Sequence, residues 1–428
     1  VTRTEYRPPP PAPLWRERNF LLLWLGQGAG TLGPRVALVA VPLLALTVLH
    51  ASTFQVSLLT FLGWLPYLVF SLPAGVLADR FDQRRIMIGC DLARMVLLLS
   101  VPVAGLVGTL TLAHLYAVTG ATGVLSVLFT VAYRGQLPKL VAGTHLVDAN
   151  GKLGMCESLA ELVGPALGGV LVGLVGAVRS LFTTAGTYAL SALALLLMRV
   201  PESAGGDATG STRVGFRAAM GEGLGFVRRD VILRRLLAYT CVSNFFVMAA
   251  TAIEVTFLVR ELGASAATVG AVFSVSAVGG LLASGFARRI TARFGTARVT
   301  WLPKLLSGPL YLLMPLATPG WGVALFAVGL TVHAANGNLF NVASISYRQA
   351  VCPPGLQSRV SAVYLWFSFG VIPFGSLLGG VLGSAVGLRP TLWVCAVGMW
   401  SAALFVVFSP LRRVRDIPVP EPAVAATS

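Results

Sequence analysis

The chain has 428 residues, 56% of them hydrophobic and only 11% charged, against roughly 25% charged in an ordinary soluble protein. That balance excludes a soluble globular enzyme and points to a membrane protein. A net charge of +16 would suit nucleic acid in a soluble chain, but here its distribution gives it another meaning. The five scattered cysteines, with no Cys-x-x-Cys pair, suggest neither a disulfide framework nor a metal site.

A helix needs about 20 apolar residues to cross a ~30 Å hydrocarbon core. In chain order, twelve segments meet that need: 20–49, 54–78, 86–107, 111–133, 149–176, 179–198, 233–260, 267–289, 296–317, 321–345, 359–385 and 389–409. The first is long, follows a polar start and has no small-residue cleavage site after it, unlike a removable signal peptide. The expected fold is all-α, twelve transmembrane helices in two pseudo-symmetric six-helix bundles. The expected organisation is an N-terminal tail (1–19), a first bundle (20–198), a linker (199–232), a second bundle (233–409) and a C-terminal tail (410–428). The linker opens rich in Gly, Ser, Thr and Ala and becomes amphipathic from Val214 to Asp230.

With the N-terminus cytoplasmic, 26 of the 32 basic residues fall on the inner segments and three, Arg179, Arg260 and Arg389, on the outer links. Basic residues favour the cytoplasmic side, so both termini are expected there. Arginine outnumbers lysine 29 to 3, which suggests a GC-rich bacterial genome and hence the bacterial inner membrane.

The halves repeat each other. "YRGQLPKLVAG" leads to "GPALGGVL" at 164–171, and "YRQAVCPPGLQSR" leads to "IPFGSLLGGVL" at 372–382, with an offset of 214 residues that shrinks to 211. Internal repeats of membrane spans are typical of secondary transporters. Gly164, Gly168, Gly169 and Gly173 on the fifth span, and Gly375, Gly379, Gly383 and Gly387 on the eleventh, are small-residue stripes that allow close helix contact, sliding or static.

Between the second and third spans lies "GVLADRFDQRR", the pattern Gly75-x-x-x-Asp79-Arg80-x-x-x-Arg84-Arg85. It resembles the signature loop of the major facilitator superfamily, with Asp82 where that motif has a glycine. The two Tyr-Arg…Gly-Gly segments resemble the branch of macrolide-efflux proteins and enterobactin exporters, drug:proton antiporters. The resemblance implies that Asp79 docks on the start of the eleventh helix, near Arg359, when the protein is open to the outside. A carboxylate there gains about 0.3–1 kcal/mol from the helix N-terminus. Arg80, Arg84 and Arg85 would hold the loop to neighbouring acids and lipid phosphates, or serve as positive-inside anchors. Asp91 and Arg94, one turn apart, would pair in support of this latch.

The resemblance also implies that the first, fourth, seventh and tenth spans line the cavity, and polar residues gather on them. The fourth carries Thr119, Thr122, Ser126, Thr130 and Tyr133 on one helical face. The first has Gln27, Thr31 and Arg35; the seventh Asn244 and Glu254; the tenth His333, Asn336, Asn338 and Asn341. A charge at the bilayer centre costs at least ~2.5–3.5 kcal/mol, so each marks a functional candidate. Arg35 lies roughly 24 Å from the inner end of its span and Glu161 roughly 18 Å into the fifth, at ~1.5 Å per residue. They are expected to pair, with Glu157 the alternative partner, either as a switch or as a permanent strut. Glu254 is placed near the outer edge, either simply solvated or a further coupling candidate. His333 is mid-membrane, either a coupling group able to carry a proton or a hydrogen-bonded spectator. Lys304 and Arg94 are near enough to the cytoplasm to snorkel.

These residues describe a proton-coupled exporter of amphipathic small molecules working by alternating access. The alternative is an importer or facilitator of a nutrient or metal-chelate on the same fold. Its expected partners are a small-molecule substrate, protons and lipid, with no nucleic acid, no cofactor and a monomeric state. A membrane transferase would need clustered acids or histidines, and an ATP-driven pump a Gly-x-x-x-x-Gly-Lys loop; the sequence has neither.

Overall fold

A computed structural model describes residues 14–141, 145–198, 216–353 and 355–416. The N-terminal bundle comprises α1 (Arg18–Thr47), α2 (Thr53–Arg80), α3 (Gln83–Val107), α4 (Leu112–Leu140), α5 (Leu146–Val175) and α6 (Ala177–Leu197). A linker helix, α7 (Phe216–Arg229), occupies the amphipathic stretch of the linker. The C-terminal bundle begins with α8 (Val231–Arg260) and α9 (Ala266–Phe294). Its ninth span is α10 (Leu302–Ser307), a 3-10 segment (Gly308–Leu312) and α11 (Leu313–Leu316). There follow α12 (Val323–Val351), α13 (Gln357–Gly370) with α14 (Ile372–Ala385), and α15 (Leu388–Val407). The face where α1 begins and α15 ends is called the near face, and the opposite one the far face.

Polar caps set the helix boundaries. Ser52 and Gln55 form a capping box at the start of α2, and Asp230 accepts from the amides of Ile232 and Leu233 at the start of α8. The charged link between the second and third spans is shorter than the sequence suggests. Asp79 and Arg80 belong to the last turn of α2, and Asp82 caps α3 by accepting from the Arg85 amide at 2.8 Å. The turn that a glycine makes in the signature motif is here made by a side-chain cap.

The ninth span departs from the expected continuous helix. Pro303, Pro309 and Pro315 each remove an amide donor, and the chain breaks into short turns. Arg389 donates to the carbonyls of Pro315 and Ala317 at 2.6 and 2.9 Å, satisfying groups that the break leaves free. Gly308 lies so close to the Trp400 ring that a Cβ would overlap it.

Each glycine stripe faces two ways. Gly164 and Gly168 lie against Arg35 and Val36 of α1, and Gly375 and Gly379 against Phe245 and Ala249 of α8. These are contacts within a half. The adjacent residues of the repeat cross between halves: Gly169 meets Ala266 and Gly270 of α9, and Gly380 meets Ser57 of α2. The 211-residue offset relates both sets, so the pseudo-symmetry extends to individual packing contacts.

Arg94 does not snorkel as its depth suggested. It is 5% exposed, paired with the fully buried Asp91. Its guanidinium stands 4.4 Å from the Phe129 ring centroid and 4.5 Å from that of Tyr188. The pair forms as expected, but in the bundle interior, between α3, α4 and α6. Removing one member of a buried pair costs about 3–5 kcal/mol. Asp91→Ala should therefore lower the thermal midpoint in detergent sharply, whereas substitution of the exposed Arg80 should leave it unchanged.

Candidate functional site: an ion pair beneath a closed far face

The two halves meet on the far side. Among the described residues, every hydrogen bond between them lies there. Ser57 Oγ donates to the Ala252 carbonyl at 3.2 Å, and Arg260 Nη2 to the Ala51 carbonyl at 2.7 Å. The Ala166 amide donates to Ser274 Oγ at 3.0 Å. Deeper in, Phe369 of α13 stacks on Trp64 of α2, ring centroids 6.0 Å apart. Towards the near face a cleft of about 580 Å³ is bordered by Gly154, Met155, Ser158 and Leu162 of α5 and by Leu281 of α9.

Below the far-face closure the structure brings Arg35 and Glu161 together, Nη2 to Oε1 at 2.5 Å. The pair bridges α1 and α5. It is a half-open pair, with side chains 42% and 45% exposed. Position on the bridge is set by Gly164, whose missing Cβ leaves room for that of Arg35. Glu157, one turn nearer the near face on α5, is exposed and borders a separate pocket of about 390 Å³ with Tyr133, Arg134 and Asn150. The same helix thus carries the glycine that seals the far face, Gly169, and the acid that holds α1, Glu161.

The sequence profile of a family described as a transmembrane secretion effector matches residues 9–425. The chain belongs to the major facilitator superfamily. Among curated relatives, this facilitator is 30% identical to the multidrug efflux pump Tap of Mycobacterium tuberculosis over 93% of this chain and 94% of that protein. It is 22% identical to macrolide efflux protein A of Streptococcus pyogenes over 93% and 97%. Among solved structures, the inward-facing, occupied form of a bacterial homologue of the lysosomal transporter Spinster superposes with a TM-score of 0.72. That match is at 17% identity and covers 94% of this chain and 98% of the other. It carries the fold alone.

Within the facilitator, the other candidate residues separate into several groups. At the near face, Arg84 donates to the carbonyls of Leu195 and Leu196 at 2.9 and 3.0 Å, capping the end of α6. Arg359, at the start of α13, pairs with Glu222 of α7. The side chain of Asp79 and the surroundings of Gly75 lie outside what is described. On α4, Thr119 and Ser126 turn their hydroxyls back to carbonyls one turn earlier, each at 2.8 Å, and Thr122 Oγ1 is buried without a partner. Thr31 bonds the Gln27 and Gly28 carbonyls of its own helix, and Asn244 donates to the Ser368 carbonyl at 3.2 Å. Gln27 is half-buried and Asn341 exposed, while Asn338 lies against Gly280 of α9.

Three placements differ from the sequence reading. Glu254 is 3% exposed instead of solvated at the outer edge, because α8 turns it into the bundle. Lys304 is likewise 3% exposed and donates to the Tyr239 hydroxyl and the Asn336 carbonyl. Asn336 is turned to the ninth span instead of lining a cavity, with its amide on Ser307 Oγ at 2.7 Å and the Tyr311 hydroxyl at 2.8 Å. His333 keeps its mid-membrane place, with Nδ1 buried and unpartnered. The sequence reading missed Arg260 as a far-face tie and Glu222 as the partner of Arg359. Arg260 carried a signal, being one of three cations on the side that positive charge avoids.

Proposed function

We propose that this facilitator exports amphipathic small molecules from the bacterial cytoplasm across the inner membrane in exchange for protons. The excess of basic residues on the near face supports its being cytoplasmic. A far face tied by hydrogen bonds, with a cleft between α5 and α9 on the near side, then fits a state that receives substrate from inside. The efflux names of the relatives along nearly the whole chain support the direction of transport.

The observation that carries the reading is the half-open Arg35–Glu161 pair on the helix that also closes the far face. A proton on Glu161 releases Arg35, and a substrate that competes for either group does the same. The release frees α1 from α5 and lets the halves rock apart at the Gly169 and Gly380 contacts. Rocking brings the last turn of α2, with Asp79, towards the start of α13, where Arg359 exchanges its linker partner Glu222 for the latch. The protein acts as a monomer, each half serving as the other's pivot.

Energised efflux in a pump-deficient bacterial host tests this. Ethidium, a macrolide and a siderophore are followed with and without a protonophore. Accumulation of at least one compound should fall several-fold below the empty-host control and recover when the protonophore is added. Accumulation above the control would identify an importer and overturn the proposal.

A further inference from the structure

The pseudo-symmetry exposes a difference between the halves that the ion pair above does not use. Lys304 stands 210 residues after Arg94, and Phe340 stands 211 after Phe129. The contact recurs with them: the Lys304 ammonium lies 4.6 Å from the Phe340 ring centroid, and 4.3 Å from that of Tyr239. The counter-charge does not recur. Where the first half has Asp91, the same offset leads to Trp301, whose indole nitrogen is buried without a partner.

Among the described residues, no carboxylate lies within ion-pairing distance of Lys304. Every element packed on it presents neutral or aromatic groups. From α8 come Tyr239 and, behind it, Ser243, which donates to the Tyr239 hydroxyl at 3.4 Å. From α12 come Asn336, Phe340 and the imidazole of His333. His333 meets the edge of Tyr311, which follows Lys304 in the same broken span, at 5.3 Å. From α15 comes Trp400, bonded to the Leu305 carbonyl at 3.4 Å. Glu254 is 15 residues past Tyr239 on α8, about 22 Å along the helix.

We propose that Lys304 is a proton-exchanging site of the C-terminal half, alternating between ammonium and neutral amine as the halves rock. The inference rests on the reading of the protein as a proton-coupled transporter. Arginine, at the equivalent place in the first half, is always charged, whereas lysine can lose its proton. The cluster accepts both forms. The Tyr239 hydroxyl accepts from an ammonium, and it can donate to the lone pair of an amine. The Asn336 carbonyl accepts from either. On release one N–H bond breaks, its electron pair stays on Nζ, and the proton passes to water. The interrupted span gives the side chain a movable base, and broken helices are where transporters place their ion sites.

The chain has three lysines, Lys139, Lys152 and Lys304, so lysine-selective 13Cε NMR in nanodiscs resolves the site, with Lys304→Met as the assignment. A group that carries protons must load and unload within the working range. The Lys304 resonance should therefore change protonation state between pH 6 and pH 9. A resonance that stays ammonium throughout overturns the proposal.

Proteoliposomes supply the second arm, with ethidium and erythromycin as probes. Lys304→Arg should keep exchange of internal for external probe within about twofold and lose at least tenfold of pH-driven accumulation. Accumulation that survives Lys304→Arg overturns the role of Lys304 alone. Absence of pH-driven accumulation in the wild type, beside a titrating Lys304, overturns the proton-coupled reading and this role with it.

Discussion

Glu161→Gln is expected to reduce energised efflux at least tenfold with little change in the amount of folded protein. The two effects separate because the pair is half open. An ion pair with both partners about 40% exposed is worth roughly 0.2–1 kcal/mol to stability after solvent screening, so its loss leaves the fold standing. Its loss also fixes α5 in the uncharged state that protonation would otherwise produce only transiently. Arg35 then has no partner that comes and goes. Two comparisons sharpen the result. Glu157→Gln should have the smaller effect, because Glu157 is exposed and forms no ion pair among the described residues. Gly164→Ala should also lower efflux, with a loss of stability that Glu161→Gln lacks, because a Cβ there would overlap that of Arg35 inside the same bundle and push the guanidinium off its partner. Whole-cell efflux of ethidium, normalised to membrane protein level, reads all three. Efflux by Glu161→Gln at the wild-type rate would leave the pair a strut.

Gly169→Val and Gly379→Val should fail in opposite ways. A Cβ at Gly169 would overlap the Ala266 carbonyl of the other half, whereas one at Gly379 would overlap the Ala249 backbone of its own half. The first wedge can be relieved by parting the halves. The second can be relieved only by distorting a bundle, and overpacking of that kind costs typically 1–3 kcal/mol. Gly169→Val should therefore keep its thermal midpoint and lose transport, trapped with the far face open. Gly379→Val should lose thermal stability first. Ser57 is fully buried at the far-face contact, so Ser57→Cys in a background without the native cysteines reports the difference. Its maleimide labelling should rise about tenfold with Gly169→Val and stay low with Gly379→Val. Equal labelling in the two would mean that the neighbouring glycines do not divide the work between the halves.

The parts of this account that were legible in the sequence are those governed by depth and period. Hydropathy marks the spans, and the 211-residue repeat marks the bundles. The depths of Arg35 and Glu161 along their helices place them at similar levels. What the sequence withheld depends on helix rotation and on partners distant in the chain. Gly379 and Gly380 are neighbours, yet one faces α8 and the other α2, and a sliding contact cannot be told from a static one without that rotation. Lys304 has the depth to snorkel, but Tyr239 and Phe340 close over it with their rings 4.2 Å apart. The break of the ninth span was hidden for another reason. Proline and glycine are common in membrane helices, so Pro303, Pro309 and Pro315 did not by themselves announce it. The break is fixed by Trp400 and Arg389, from another helix. Asn336 shows the same limit, since its amide is claimed by Ser307 and Tyr311 of that broken span.

Spin-label distances across both faces, measured on one sample, test the central claim of alternating access most directly. One pair, on Val175 and Ala264, spans the far face between α5 and the α8–α9 turn. The other, on Gly151 and Arg289, spans the near face between α5 and α9. In nanodiscs the wild type should show a short far-face and a long near-face distance in one population. A second population should have the two reversed, and Glu161→Gln should shift the balance between them. Far-face and near-face distances that lengthen together, or a balance that Glu161→Gln leaves unchanged, would contradict a rocking transporter switched by that acid.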